Sequence, residues 1–193
     1  MSHRFPREAR PRATPKGIPT VTTMNALIDD LSALHPIAAN GAAWEMISDR
    51  VMGGVSHGTM TREDVRGRPA LHMRGKVSLE NNGGFVQLAL DLDPHGGMID
   101  ASHWSGLELD VIGNREAYNL HLRTADVVRP WQSYRASFRP VPEWRTIHLP
   151  FTDFTAHRID ALLDLSGLRR ISIVAIGRSF EADIAIGGIR FFA

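Results

Sequence analysis

The feature that most limits what this chain can fold into is the period of its apolar residues. From Trp44 onward they recur at every second position, in one short run after another. Leu71, Met73, Val77 and Leu79 alternate with His72, Arg74, Lys76 and Ser78. Val86, Leu88, Leu90 and Leu92 do the same, as do Leu107, Leu109 and Val111, then Leu120 and Leu122, then Tyr134, Ala136 and Phe138. Period two turns one set of side chains toward a core and the other toward water, which describes strands with one wet face. Two later runs, residues 171–176 and 184–192, are apolar on both faces and are predicted to lie centrally.

Turn signals separate these runs: Asn82-Gly83-Gly84, Pro94-His95-Gly96-Gly97, Gly113-Asn114, Pro140-Val141-Pro142 and Gly187-Gly188. Only residues 159–168 break the series with a helical turn. Many short strands at regular spacing predict an all-β domain, a sandwich or jelly roll, over residues 40–193. Before it, Thr23 is placed to cap a short helix over residues 23–35. Met24, Leu27, Ile28, Leu31 and Leu34 form its apolar stripe, Asp29 and Asp30 its opposite face, and Pro36 its end. Residues 1–22 hold Pro6, Pro11, Pro15 and Pro19 and read as a flexible basic arm.

At 193 residues the chain is long enough to bury a core without covalent staples, and it has no cysteine. Disulfides, thiolate metal sites and a cysteine nucleophile are thereby excluded. Residues 1–16 carry five basic side chains against Glu8, a local charge of +4; the rest of the chain, within a total of +1, carries −3. A mildly acidic folded part gives no reason to expect specific nucleic-acid binding. Any membrane contact is expected to be peripheral, because no apolar run approaches the roughly 20 residues that span a bilayer. The amino terminus lacks the apolar stretch of a secretory signal, so an intracellular protein is expected, in a bacterial cytoplasm or a mitochondrial matrix.

Chemistry-bearing motifs fail one by one. Met52-Gly53-Gly54-Val55-Ser56-His57-Gly58 is followed by Thr59 and Met60, where a phosphate loop needs Lys and a hydroxyl residue. The nine histidines show no metal-ligand spacing, and His72 and His121 fall on wet-face positions of predicted strands. No nucleophile elbow and no marked carboxylate pair is present. The expectation is therefore no catalytic residue, no metal and no cofactor. Among the aromatics, Trp131 sits in a loop beside Pro130 and Gln132, where an exposed binding role and a structural one are equally open.

Two segments exceed what turns require: residues 44–56, ending Asp49-Arg-Val-Met-Gly-Gly-Val-Ser56, and residues 75–85, Gly75-Lys-Val-Ser-Leu-Glu-Asn81-Asn82-Gly-Gly-Phe85. Asp49, Ser56, Asn81 and Asn82 are residue types that hydrogen-bond nearby backbone, and the paired glycines permit close approach. The two loops either lock to one another or form a rigid polar recognition surface at one end of the sandwich.

These two segments, in this order, resemble the hallmark of the complex I intermediate-associated protein 30 family. Tyr118-Asn-Leu-His-Leu-Arg123, Tyr134-Arg-Ala-Ser-Phe138 and residues 144–154 are similar to later pieces of it, so the resemblance spans about residues 44–192. The chain departs at Gly113-Asn114-Arg115-Glu116, where members often carry a Gly-Asp-Gly turn. The resemblance implies a galactose-binding-like jelly roll. It also implies a non-enzymatic, protein-binding assembly factor or chaperone for respiratory complex I (NADH:ubiquinone oxidoreductase). On that reading the binding residues are Asp49, Arg50, Ser56, Asn81, Asn82, Arg123, Trp131 and Tyr134: Asp49, Ser56, Asn81 and Asn82 shape the loops, while Arg123, Trp131 and Tyr134 face a partner. The alternative within the same fold is a carbohydrate- or small-ligand-binding module using Trp131, Tyr134 and Arg123.

Overall fold

The computed structural model describes residues 26–193. In chain order the strands are β1 (Leu27–Asp29), β2 (Glu45–Ser48), β3 (His57–Val65), β4 (Arg68–Val77), β5 (Phe85–Asp91), β6 (Gly106–Gly113), β7 (Tyr118–Thr124), β8 (Ser133–Phe138), β9 (Arg145–Pro150), β10 (Thr155–His157), β11 (Leu168–Ile176) and β12 (Phe180–Phe192). They form two antiparallel sheets. One runs β3-β4-β12-β6-β9, with β1 added alongside β12; the other runs β10-β8-β7-β11-β5-β2. This is the jelly-roll sandwich that the period-two runs predict.

The predicted alternation places the core. Leu88, Leu90, Leu120, Leu122, Ile171 and Ile173 of the second sheet meet Leu71, Met73, Leu107, Leu109, Ile184 and Ile186 of the first in one continuous buried cluster. Each such side chain contributes about 1.5–3 kcal/mol through burial. The two runs that are apolar on both faces become β11 and β12. Each is flanked by strands on both sides, β11 by β7 and β5, β12 by β4 and β6. A strand in that position has its backbone fully paired and its side chains covered.

Three expectations are corrected. The helix over residues 23–35 does not form in its described part; residues 23–25 and the arm at 1–22 lie outside the described residues. Leu27–Asp29 is instead a strand paired to the end of β12, with Leu27 opposite Arg190 and Asp29 opposite Ile189. Leu31 then takes a left-handed φ of 63°, which no α-helix accommodates. Asp29 is buried rather than wet. It accepts from the Leu31 and Ala39 backbone N–H groups and, at 2.7 Å, from Trp44 Nε1, and so ties the first strand to the sandwich. Helical spacing was outweighed here by pairing to a distant strand.

His72 and His121, expected on wet faces, are both buried. His72 is held between carboxylates on the outer side of the first sheet, 2.7 Å from Glu63 and 2.6 Å from Asp183. His121 belongs to the site described below. The turn that departs from the family pattern is absorbed by the fold. The Tyr118 hydroxyl donates to Asn114 Oδ1 at 2.8 Å and accepts from the Asp183 N–H at 2.9 Å. Burial pushes that phenol up to about 12, so it stays a donor throughout the ordinary pH range.

Candidate functional site: a cleft on the outer face of the second sheet

The two unusual loops meet at one end of the sandwich around a single carboxylate. Asp49 is completely buried. Its Oδ1 accepts from the Ser56 N–H at 2.9 Å, and its Oδ2 accepts from the Ser56 hydroxyl and from the N–H groups of Gly84 and Phe85. Ser56 Oγ in turn accepts from the Ser78 N–H at 3.0 Å. Burial alone would raise the Asp49 carboxyl. The Ser56 hydroxyl and the three backbone donors overcome it and hold the group below the usual carboxylate range. The glycine pairs follow from this packing. A Cβ on Gly54 would lie 2.4 Å from the Asp49 carboxylate, and one on Gly83 2.5 Å from Oδ2. The loops lock to each other, which is the structural one of the two readings.

Asn81 and Asn82 serve the same turn differently from expectation. Neither side chain bonds backbone among the described residues; both are exposed, at left-handed φ angles of 56° and 57°. Asparagine tolerates that region better than any other residue with a side chain except aspartate. Arg50 is exposed beside the cradle, and next to it Val51 and Met52 stand 74% and 62% exposed.

Those two apolar side chains are one rim of a cleft of about 590 Å³ on the outer face of the second sheet. The register of the strands lays out its floor in rows. Phe85 pairs with Ile176 at the end nearest the Asp49 cradle. Next come Ile47, Gln87 and Val174, then Ser172, His121 and Arg135, and last Arg170 and Arg123. Along the strands the floor thus changes from apolar, through neutral hydrogen-bonding groups with Arg135 at their side, to the row of Arg170 and Arg123. The far rim is Pro130, Trp131 and Gln132 from the loop after β7, with His157 and Arg158 from β10 and the residue after it. Trp131 is 51% exposed. Gln132 fixes this rim: its Oε1 accepts from the Val128 and Arg129 N–H groups, and its Nε2 donates to the Arg158 carbonyl at 3.1 Å.

The charges of the cleft are unbalanced. Its lining has Arg123, Arg135, Arg158 and Arg170 and no Asp or Glu. Arg170 is paired on the same outer face with its cross-strand neighbour Asp91, at 2.6 and 3.1 Å, and with Glu45 at 3.5 Å. Arg123 donates to the Arg129 carbonyl at 3.1 Å and Arg135 to Ser133 Oγ at 2.9 Å, both uncharged acceptors. Among the described residues no carboxylate lies within ion-pair distance of Arg123, Arg135 or Arg158. Burial, with Arg170 and Arg169 alongside, lowers the Arg123 guanidinium; burial with Arg158 lowers that of Arg135. His121, only 8% exposed, has an Nε2 with no hydrogen-bond partner. Burial, then Arg135, His157 and Arg123, push it down to about 3, so it is a neutral imidazole. Among the described residues no group of three or more His, Asp or Glu is placed to hold a metal ion.

Of the residues expected to bind, Arg123 and Trp131 reach the cleft. Tyr134 does not. Its strand position points it into the core, 1% exposed, and its hydroxyl donates toward the Ala161 and Leu162 carbonyls. Asp49 and Ser56 hold the loop that carries the apolar rim, and Asn81 and Asn82 lie outside the cleft. Arg135, Arg158 and His121 belong to the cleft and were missed, although the alternation that predicted β7 and β8 already put His121 and Arg135 on one face.

The sequence profile described as Complex I intermediate-associated protein 30 matches residues 37–185, from ahead of the Asp49 loop to within β12. The chain belongs to that family. No curated protein sequence matches it. Among solved structures it is similar to the family 11 carbohydrate-binding module of the cellulosomal cellulase Lic26A-Cel5E of Clostridium thermocellum. That likeness has 15% identity and a TM-score of 0.69, over 89% of this chain and 96% of that one. It is also similar to the family 30 carbohydrate-binding module of the cellulosomal cellulase Cel9D-Cel44B of the same organism. There the identity is 15% and the TM-score 0.54, over 90% of this chain and 95% of that one. At such identities the likeness establishes the jelly-roll fold and nothing finer.

Proposed function

We propose that the chain is a non-catalytic binding protein that holds a partly built respiratory complex I, NADH:ubiquinone oxidoreductase, until the next subunit docks. The observation that carries this reading is the family match over most of the sandwich. The cleft supports it. Among the described residues three of its four arginines, Arg123, Arg135 and Arg158, have no carboxylate partner, and Trp131 and Met52 stand exposed at its rims, residue types that anchor protein interfaces. No helix of the described residues is long and apolar enough to cross a membrane. The reading places the protein inside a bacterial cell or a mitochondrial matrix, beside the membrane arm it serves.

A gentle pull-down of the tagged full-length chain from its own membranes tests this. Complex I subunits are the expected catch, and their consistent absence from a verified folded bait would refute it. A second reading has its own support. The similar structures include carbohydrate-binding modules, one of them in complex with a β-1,3-1,4-mixed-linked tetrasaccharide, and Trp131 offers a ring to stack on a sugar. A glycan array decides it: a blank array removes that reading, whereas a saturable hit lost in Trp131→Ala promotes it.

A further inference from the structure

The cleft is two-ended, and that narrows what can fill it. At one end Val51, Met52, Phe85 and Ile176 present apolar surface; toward the other lie Arg123 and Arg158, with Arg135 one row further in beside His121, and among the described residues none of these three guanidinium groups has a carboxylate partner. A buried or half-buried cation left unpaired is held at a cost that an arriving anion removes. Between the ends lie Gln87 and Ser172, neutral groups able to donate and accept, and the unpartnered His121 Nε2. We propose that the cleft takes an extended acidic peptide segment, its carboxylates among Arg123, Arg135 and Arg158 and an aliphatic side chain between Met52 and Ile176. This rests on the protein-binding reading above and names the chemistry of the partner's contact segment.

Each region of the floor supports a peptide over other anions. Guanidiniums pair carboxylates through two parallel hydrogen bonds, a fit that free acidic side chains reach easily. The middle of the floor offers amide and hydroxyl partners, which a peptide backbone needs and an acyl chain does not. A neutral glycan would leave three cations uncompensated and would find only Phe85 and Trp131 as rings. From Arg170 to Ile176 the floor runs along seven residues of β11, six steps of about 3.3 Å or roughly 20 Å, which matches about six or seven residues of extended chain.

The test uses the full-length chain and a pool of end-blocked, fluorescently labelled hexapeptides that combine leucines and glutamates in every order, read by anisotropy at low salt. Saturable binding is expected. It should weaken about tenfold or more when glutamine replaces glutamate, and likewise in Arg158→Glu, an exposed position that leaves folding intact. The double variant Arg123→Gln/Arg135→Gln, checked by thermal unfolding, should lose the same binding. Arg145→Gln, on the other sheet, should not. Equal binding of glutamate and glutamine peptides, or no binding at all, overturns the proposal. So does a preference for vesicles of anionic phospholipid or for oligogalacturonate over every peptide.

The same variants in the pull-down separate the two claims. Complex I subunits captured equally by wild type and Arg158→Glu would sink the cleft and leave the assembly reading standing. Peptide binding without those subunits would do the reverse.

Discussion

The Asp49 cradle and the arginine cleft are neighbours that treat polar groups in opposite ways. In the cradle one buried carboxylate accepts from the Ser56 hydroxyl and from three backbone donors, and two glycines close over it. Nothing there is left to offer a partner. In the cleft three guanidiniums and an imidazole nitrogen find, among the described residues, only neutral acceptors or none. The satisfied region is a structural lock; the unsatisfied one has free energy to gain from a ligand. The family's most recognisable residues therefore shape a rim, while the recognition chemistry sits on ordinary strand faces beside it.

The contrast is broken most severely from the closed side. Asp49→Ala leaves several buried donors without an acceptor. It is expected to cost about 3 kcal/mol or more, read as a fall in the urea midpoint. An unchanged midpoint would mean that the cradle is not a lock. Gly54→Ala and Gly83→Ala push a methyl into the same carboxylate and should each cost about 1–3 kcal/mol. Asn81→Ala and Asn82→Ala keep the contacts and lose only tolerance of left-handed backbone, about 1 kcal/mol each, whereas glycine at either site should be neutral or better. If alanine and glycine behaved alike, the side-chain amides would matter in a way the geometry does not provide.

On the open side the effects on stability are smaller and of another kind. His121 binds its proton at about pH 3 when folded and near 6.5 when unfolded. Between those values the unfolded chain holds the extra proton, so stability falls as pH is lowered through that window. His121→Gln should flatten the curve between pH 6.5 and 4; parallel curves would place the titration elsewhere. Asp49 acts below that range, its contribution being lost as pH falls through its depressed folded value. Arg123→Gln/Arg135→Gln should leave stability within about 0.5 kcal/mol of wild type. A large loss would show that these arginines hold the fold rather than wait for a partner.

The strands were legible because burial of alternate residues writes itself into local order. Leu88 and Leu90, or Ile171 and Ile173, need no distant information to be assigned to a core face. The first strand was not legible. Leu27, Ile28 and Leu31 satisfy a helical stripe equally well, and only the free edge beside Arg190 and Ile189 decides between the two. Tyr134 was misplaced for a related reason: an aromatic with a hydroxyl suits either face, and its true acceptors at Ala161 and Leu162 lie on a later loop.

By itself, then, the order of residues determined a β-sandwich domain, its family and which two loops are unusual, since periodicity and glycine-bounded motifs are local properties; that those loops interlock came from the tertiary structure. What only the tertiary structure decided is which polar groups remain unpaid by a partner. Arg123, Arg135 and Arg158 stand on β7, on β8 and just past β10, far apart in the chain, and resemble any wet-face arginines. Their shared cleft exists because antiparallel register sets β7 beside β8 and β8 beside β10, and because Asp91 reaches Arg170 and not the other three. Whether a charge is compensated depends on distances through space, and those are set only when the sheet has closed.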